Sequence, residues 1–600
     1  MSKHIYWFAL AAAGLFAAAC SDNDALDSSS AVSDGSSTFM AVNIYMTSDA
    51  ATRSSSTVSG GGFSTGSSAE YAIDLENNSV FLFYDSNGDF LTSTTEVTSK
   101  GGSEISGTDL TNDYVEYTYS AMLVLGPTTL TPTYVVGIFN DAKAQTDYDG
   151  LSLDKLKEAL FNSDNELAAT DDNAGILMSN AVKYDEGSFS FATEISKDNI
   201  CSTSDAALAN PVEMYIERAK AKVEIGITED NFTSNENGTY TYTIKKTGDN
   251  SETDSTFTYY YVDEESGEII PVTGATVNIT INGWAVNALN KTGYVIKNYS
   301  NDGTELSSDI TSSSKGGAWG SDWYSSFRIF WAVDGNYAAK ASEDEDEDGG
   351  LQYTTWATVE EAGCSTDGAY YYEQTLDPNA TTGYIAGETA YAPTLLVAAT
   401  VGVDAGDDVS EADDSSDDAN DIFIWYGSVL YSKQAVYARI LSTLSSIEGL
   451  SLSEDETISS IEWETDDASK GSVYIKSITM SSNTDVSNYI DQVNSSSSLI
   501  NYSEETSSSS TLRRYNGGAC YYQVPIQTYI STSSATDHPY GLVRNTAYSI
   551  TINSVTGIGG GVNDPDEEEL TEIPGEDTNY CIGAKVNVLA WRLSNQSVDL

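Results

Sequence analysis

Apolar residues along this chain alternate with polar ones more often than they recur at helical spacing. Met40, Val42, Ile44 and Met46 share one face of the run Phe39 to Met46, at the two-residue period of a strand. Val277, Ile279 and Ile281 alternate in the same way ahead of Gly283-Trp284. Val80 to Tyr84 runs into Asp85-Ser86-Asn87-Gly88-Asp89, a hairpin turn by composition. Tyr134 to Asn140 and Leu395 to Ala399 read as buried core strands, and strands resume through Tyr521 to Ile526 and Ala547 to Ile552. Helical spacing is confined to two places. Leu153, Leu156 and Leu160 predict one short helix over Ser152 to Phe161. Val436, Ile440, Leu444 and Ile447 predict another over Lys433 to Ile447, with Gly449 as its stop. Heavy use of Tyr, Thr, Val and Ile suits sheets. The expected fold is mainly β, antiparallel β-sandwiches with short helical insertions.

The ends of the chain carry a different pattern. Lys3 precedes the apolar run Ile5 to Ala19, which is too short to span a membrane comfortably and ends in Ala17-Ala18-Ala19-Cys20. That is the form of a bacterial lipoprotein signal over residues 1–19, with Cys20 as the lipidated residue; a plain secretory signal is the alternative. A Ser/Asp-rich tether follows, and then the isolated strand Phe39 to Met46. A Ser/Gly-rich stretch to about Ser68 lies beyond it, and Arg53-Ser54 falls between the two, where a protease can reach it. At the other end, Val586 to Leu600 reads as an arm bearing Leu589, Trp591 and Leu593, then Val598 and Leu600; an ordinary last strand is the alternative.

Charge and chemistry narrow the function. The 600 residues include 90 Asp plus Glu against 27 Lys plus Arg, a net charge of −63. No basic face remains for nucleic acid or for anionic lipid, and the acidity suits a soluble surface protein. Glu343 to Asp348 and Asp404 to Asp421 read as solvated acidic loops; neither has the spaced ligands of a calcium loop. Cys201, Cys364, Cys520 and Cys581 form no Cys-x-x-Cys pair, and one or two disulfides or free buried thiols are both open. His538 is the sole histidine beyond the signal, a poor basis for acid–base catalysis. Gly62-Phe63-Ser64-Thr65-Gly66 has the spacing of a nucleophile elbow but lies in a linker. Gly557 to Gly561 meets the acidic run Asp564 to Glu569 where phosphate would need a helix N-terminus, so it reads as a turn. No enzyme activity, metal or cofactor is expected.

Four segments, in order, resemble the fimbrillins, the type V pilus subunits of Bacteroidales, and the major subunit of the short (minor) fimbria most closely. Arg218-Ala219-Lys220-Ala221-Lys222-Val223 is similar to a family strand, and Gly283 to Tyr294 to a Trp-x-x-Asn-Lys-x-x-Tyr segment. Tyr540 to Asn545 followed by Tyr548-Ser549-Ile550 resembles a Val-Arg-Asn-x-x-Tyr motif, and Val588 to Leu600 the family's C-terminal arm. The resemblance implies two transthyretin-like β-sandwich domains, here 54–228 and 229–600, behind a propeptide 20–53. It implies a lipid-anchored precursor at the outer membrane, cut after Arg53 by an arginine-specific protease. Loss of the detachable strand Met40, Val42, Ile44 and Met46 then opens a groove for the donor arm 586–600 of the next copy. The partners implied are further copies of the chain, anchor and tip subunits, and host or bacterial surface receptors, in an extracellular fimbrium serving adhesion and biofilm formation. A glycan-binding surface lipoprotein is the competing reading, left open by 9 Trp and 39 Tyr. A tip or accessory adhesin of the same pilus is a third.

Overall fold

Strand-forming segments divided by short polar turns give a molecule built mostly of sheets. The computed structural model describes residues 38–47, 73–104, 115–126, 131–167, 175–185, 188–246, 253–254, 257–263, 265–298, 351–375, 393–406, 420–425, 429–465, 472–496, 512–526, 541–555, 557–570, 583–589 and 592–599. Of these, the residues up to 47, from 73 to 159 and from 164 to 217 form one compact unit. Residues 160–163 and those from 218 onward form a second.

In the first unit β1 (Thr38–Thr47), β2 (Ser79–Tyr84), β3 (Phe90–Thr94), β4 (Val97–Glu104), β5 (Val115–Gly126) and β6 (Tyr134–Phe139) share one sheet with Met178–Asn180 and Val212–Arg218. The hairpin turn between β2 and β3 forms as its composition asks. Asp85 Oδ1 accepts the backbone N–H of Asn87 at 2.7 Å and of Asp89 at 3.0 Å, and Gly88 takes φ +83°, a conformation that suits glycine. Those backbone hydrogen bonds hold the Asp85 carboxyl below its usual range. Across the sheet the order is β3-β2-β6, Met178–Asn180, Val212–Arg218, β1, β5, β4.

The second unit is organised on the strand Ile269–Asn287, which pairs antiparallel with Phe257–Val262, Tyr240–Thr243 and Thr394–Asp404. Val277, Ile279 and Ile281 are fully buried, as are all of Leu395 to Ala399. The ladder slips between Ile281 and Gly283, and the helix Trp356–Ala362 approaches there. A Cβ on Gly283 would overlap the carbonyl of Val359, so only glycine fits. A second sheet runs Ala369–Tyr372, Lys220–Ile227, Thr546–Ser554, Gly583–Leu589, Arg592–Asp599. Its inner face, with Ala221, Val223, Ile225, Tyr548, Ile550 and Ile552, shares one core with the first. The helix Lys433–Ser445, capped by Ser432 Oγ on the N–H of Ala435, turns Val436, Ile440 and Leu444 into a separate core. That core also holds Trp463 and Ile475 of the hairpin Ile458–Thr465 and Val473–Met480.

Several expectations are corrected. The sheets are mixed, not purely antiparallel. Parallel pairs join β1 to Val212–Arg218, Lys220–Ile227 to Thr546–Ser554, and Phe257–Val262 to Val429–Ser432. The chain leaves the first unit at Glu217, ahead of the expected 228, because Lys220–Ile227 takes its partners from Thr546–Ser554 and Ala369–Tyr372. The first predicted helix stops at Lys157. Leu160–Phe161 is instead a short strand beside Gly293–Tyr294, with Phe161 buried edge-on to Tyr372 at 5.3 Å. The acidic stretch from Asp404 ends in the core: Asp421, 3% exposed, accepts from Arg514 Nε at 2.8 Å and from the Gly517 N–H at 2.8 Å.

The residues that carry the family resemblance converge in the second unit on a buried polar knot. Arg544, 1% exposed, donates through Nε to Glu373 Oε2 at 2.9 Å. Its Nη1 and Nη2 donate to the carbonyls of Val295 at 3.3 Å and Tyr294 at 2.6 Å. Asn545, at φ +56°, accepts from Arg218 Nη1 at 3.1 Å and donates its backbone N–H to Lys220 at 2.9 Å. Asn290 Nδ2 donates to the Glu373 carbonyl at 2.8 Å, and the Val543 N–H to the Tyr548 hydroxyl at 2.9 Å. A buried pair stripped of one partner strands the other charge in the core. Glu373→Ala is therefore expected to cost about 3–5 kcal/mol in urea unfolding of the second unit. An exposed control, Glu462→Ala, where the pair to Lys476 is half solvated, is expected to leave the urea midpoint nearly unchanged.

Candidate functional site

The strand predicted to be detachable lies inside the first unit's sheet. On one side β1 runs parallel to Val212–Arg218, with Val42 opposite Val212 and Ile44 opposite Met214. On the other it runs antiparallel to β5, with Met40 opposite Leu123 and Val42 opposite Ala121. Both edges of its backbone are thus hydrogen-bonded, so taking β1 away would break one sheet into two open edges.

Its two faces differ, as the alternation requires. Met40, Val42 and Ile44 are each 0% exposed and pack with Phe81, Phe83, Val135, Phe139, Met214 and Ile216. Burying side chains of this size is worth about 1.5–3 kcal/mol each. Met46 keeps its place in the register, opposite Ile216 and Tyr117. The other face is roofed. Ala41 is 1% exposed beneath Met122, Cys201 and Ala207, with Phe39 and Ala206 packed around them. Ala207 sits on the short helix Ser204–Ala209, which Thr203 caps on the N–H of Ala206. Cys201 and Phe39 exchange both backbone hydrogen bonds at 2.8 Å. At the open end of this face Asn43 Oδ1 accepts the Ser120 hydroxyl at 2.8 Å, and the exposed Glu213 stands opposite Asn43 on the parallel neighbour. The site offers an apolar floor, a roof and a backbone partner on each side, and it holds a β-strand.

The other predicted site residues fall elsewhere. Leu589 lies opposite Ala547 in the strand Gly583–Leu589 of the second unit. Leu593 and Val598 lie in Arg592–Asp599, which runs antiparallel to Gly583–Leu589 and parallel to Thr546–Ser554, with Val598 opposite Ile552. In this structure the arm's backbone is therefore paired within its own unit. Cys20, Arg53, Ser54, Trp591 and Leu600 lie outside the described residues, as do His538, the Gly62 to Gly66 motif and Glu343 to Asp348. Among the described residues Cys201, Cys364 and Cys520 form no disulfide, and burial pushes the thiol of Cys364 up to about 12. The Gly557 to Gly561 segment is occupied by structural contacts: the Tyr522 hydroxyl donates to the Gly557 carbonyl at 2.7 Å and that of Tyr515 to Gly559 at 3.0 Å. The roof over Ala41 has no period or motif to announce it; only the small residue between two large apolar ones was a hint.

Comparison with known proteins bears on the C-terminal region. Residues 513–597 match the family described as major fimbrial subunit protein type IV, fimbrillin, C-terminal. That stretch holds Arg544, Asn545 and the strands Thr546–Ser554 and Gly583–Leu589 described above. No curated protein is similar in sequence to the chain. Among solved structures, a candidate cell adhesion protein from Bacteroides eggerthii is 10% identical, with 94% of this chain and 98% of that one covered at a TM-score of 0.32. A fimbrial assembly protein from Parabacteroides distasonis is 12% identical, covering 62% and 83% at 0.24. The tip fimbrial protein Mfa3 from Porphyromonas gingivalis, C-terminally truncated, is 10% identical, covering 61% and 80% at 0.24. Similarities this distant add no weight, and the assignment rests on the family match. Residues 513–597 thus match the C-terminal region of the fimbrillins.

Proposed function

We propose that this chain is a structural subunit of a bacterial surface fimbria, and that it polymerises by exchanging one strand for another. The observation that carries the reading is the place of β1. A strand from the extreme N-terminal side, preceded and followed by Ser-rich sequence, fills the middle of a sheet on two hydrogen-bonded edges. In the proposed sequence of events the chain is exported and lipidated on Cys20. An arginine-specific protease cuts between Arg53 and Ser54, and β1 leaves with the propeptide. The groove that remains has unpaired N–H and C=O groups on both walls and an apolar floor, so it takes up an extended segment.

The arm from Val586 to Leu600 is the proposed occupant, supplied by the next copy. Its pairing with Thr546–Ser554 is then the resting position of a subunit before assembly. Donor and acceptor lie on different units of the same chain, so the contact is heterologous and propagates as a filament. The fimbrillin match over 513–597 supports the reading, because it covers most of the proposed donor. Adhesion and biofilm formation follow as the use of such a fibre, through contacts with anchor and tip subunits and with surface receptors.

Two outcomes are expected. In the uncleaved precursor, Val42→Asp with Ile44→Asp places two unpaired charges in a core with no room for water, so the first unit should melt well below the wild type. Unchanged thermal melting would remove β1 from its assigned role. In the mature protein, sequencing should find Ser54 at the N-terminus, and Arg53→Ala should accumulate the uncut precursor. Electron microscopy should show filaments from trimmed wild-type protein and soluble, folded monomer from the deletion of Ser594 to Leu600. Fibres from that deletion would exclude the arm as donor, and an unfolded product would make the segment an ordinary core strand.

A further inference from the structure

The roof over Ala41 makes the groove selective at one position. Ala41 is enclosed by Met122, Cys201 and Ala207, all less than 7% exposed, while its neighbours Met40 and Val42 point the other way into the main core. A strand replacing β1 must therefore present a small side chain there, between residues that face the core. A larger one would force the helix Ser204–Ala209 away from the sheet.

Resting on the strand-exchange reading above, we propose that this size limit sets the register of the incoming arm, with Ser597 of a second copy taking the place of Ala41. Val598 then falls on Val42, Asp599 on Asn43 and Leu600 on Ile44. The replacements conserve volume at each position: Ser for Ala, Val for Val, Asp for Asn and Leu for Ile. Asp599 reaches the place where Asn43 accepts the Ser120 hydroxyl, and a carboxylate accepts that bond at least as well. Two mismatches remain. Gln596 takes the buried place of Met40, with similar length but a polar end, and Asp599 meets the solvent-exposed Glu213.

The alternatives fail on the same geometry. Moving the arm two residues toward the N-terminal end of the groove puts Asp599 under the roof. Moving it two residues the other way puts Asn595 there and Gln596 on the central Val42 site. A shift of one residue turns Val598 and Leu600 out of the core. Reversing the direction, with Val598 on the Val42 site and Leu600 on that of Met40, places Asp599 under the roof. The earlier part of the arm, with Leu589-Ala590-Trp591-Arg592-Leu593, offers a small residue at Ala590 but lays Trp591 on the Val42 site, an overpacked fit. Of these, the Ser597 register keeps two apolar residues inside and a small one beneath the roof without overpacking.

Cys201 supplies the test, because it is the direct antiparallel partner of Phe39. In such a hydrogen-bonded pair the Cα atoms stand about 5.5 Å apart, within disulfide reach. In the proposed register Asn595 occupies the place of Phe39. Asn595→Cys in the full chain, trimmed at Arg53, assembled and oxidised, should give a ladder of covalent oligomers on a non-reducing gel. The ladder should disappear in the Cys201→Ala background. Gln596→Cys and Val588→Cys should give none. A Cys201-dependent ladder from Val588→Cys in place of Asn595→Cys would overturn the register while leaving strand exchange intact. Filaments of all variants with no Cys201-dependent ladder from Asn595→Cys would overturn it too. A second variant reads the size limit without an added thiol. Ser597→Phe should abolish filaments, and Met122→Ala in the same chain should restore them. Filaments from Ser597→Phe alone would remove the roof as the determinant. Failure of the strand-exchange reading itself would appear separately, as filaments that survive deletion of Ser594 to Leu600.

Discussion

A strand in the interior of a sheet must be hydrogen-bonded on both edges, and the first unit meets that demand with residues from far away in sequence. β1 lies between β5 and Val212–Arg218 and joins those two strands in the order of that sheet. Without it, each half ends in an unpaired edge, and the apolar layer under Met40, Val42 and Ile44 opens to water. Everything proposed for the function is a consequence of this one vacancy-intolerant position. On the proposed reading the strand there is replaced and never simply omitted, which would leave a subunit stable before assembly and joined to its neighbour after it.

The second unit answers a different demand. Its signature residues do not line a cleft; they tie strand ends together in a space that excludes water. Arg544 serves Glu373 and two backbone carbonyls at once, and the planar guanidinium matches that set of acceptors as a lysine could not. Asn545 takes the left-handed backbone conformation that asparagine tolerates better than most residues, and its side chain reaches Arg218. The turn geometry and the buried charge constrain these residues jointly.

Much of this was legible beforehand where a local pattern sufficed. Period-two alternation located Val277, Ile279 and Ile281, and the apolar run Leu395 to Ala399 is buried on both faces, as such runs imply. The apolar spacing over Lys433–Ile447 and the stop at Gly449 sufficed for the helix Lys433–Ser445 because both signals are local. Local reading failed where a distant partner decided. Leu160 continued the helical period of Leu153 and Leu156, but Phe161 found a buried place beside Tyr372 and the chain extended instead. Parallel pairing leaves no trace in alternation, so Lys220–Ile227 could not be assigned to the second unit from its own residues. At the candidate site, the inward face of β1 was readable, whereas the roof of Met122, Cys201 and Ala207 depends on contacts between segments well separated in sequence.

The position of β1 also governs the order in which the first unit can form. Its residues are the earliest of the described chain, yet Val42 pairs with Val212, and the sheet is incomplete until both are present. Contacts this distant close a large loop and slow folding relative to structures held by near neighbours. β1 can pair with β5 once residues 115–126 are present, but its second edge has no partner until Val212–Arg218 is in place. For that interval the segment is an apolar strand with one free edge, a form open to mispairing with another chain. Dispersed serines and acidic residues on its N-terminal side keep that interval soluble, so the high charge of the chain serves the nascent subunit as well as the finished surface.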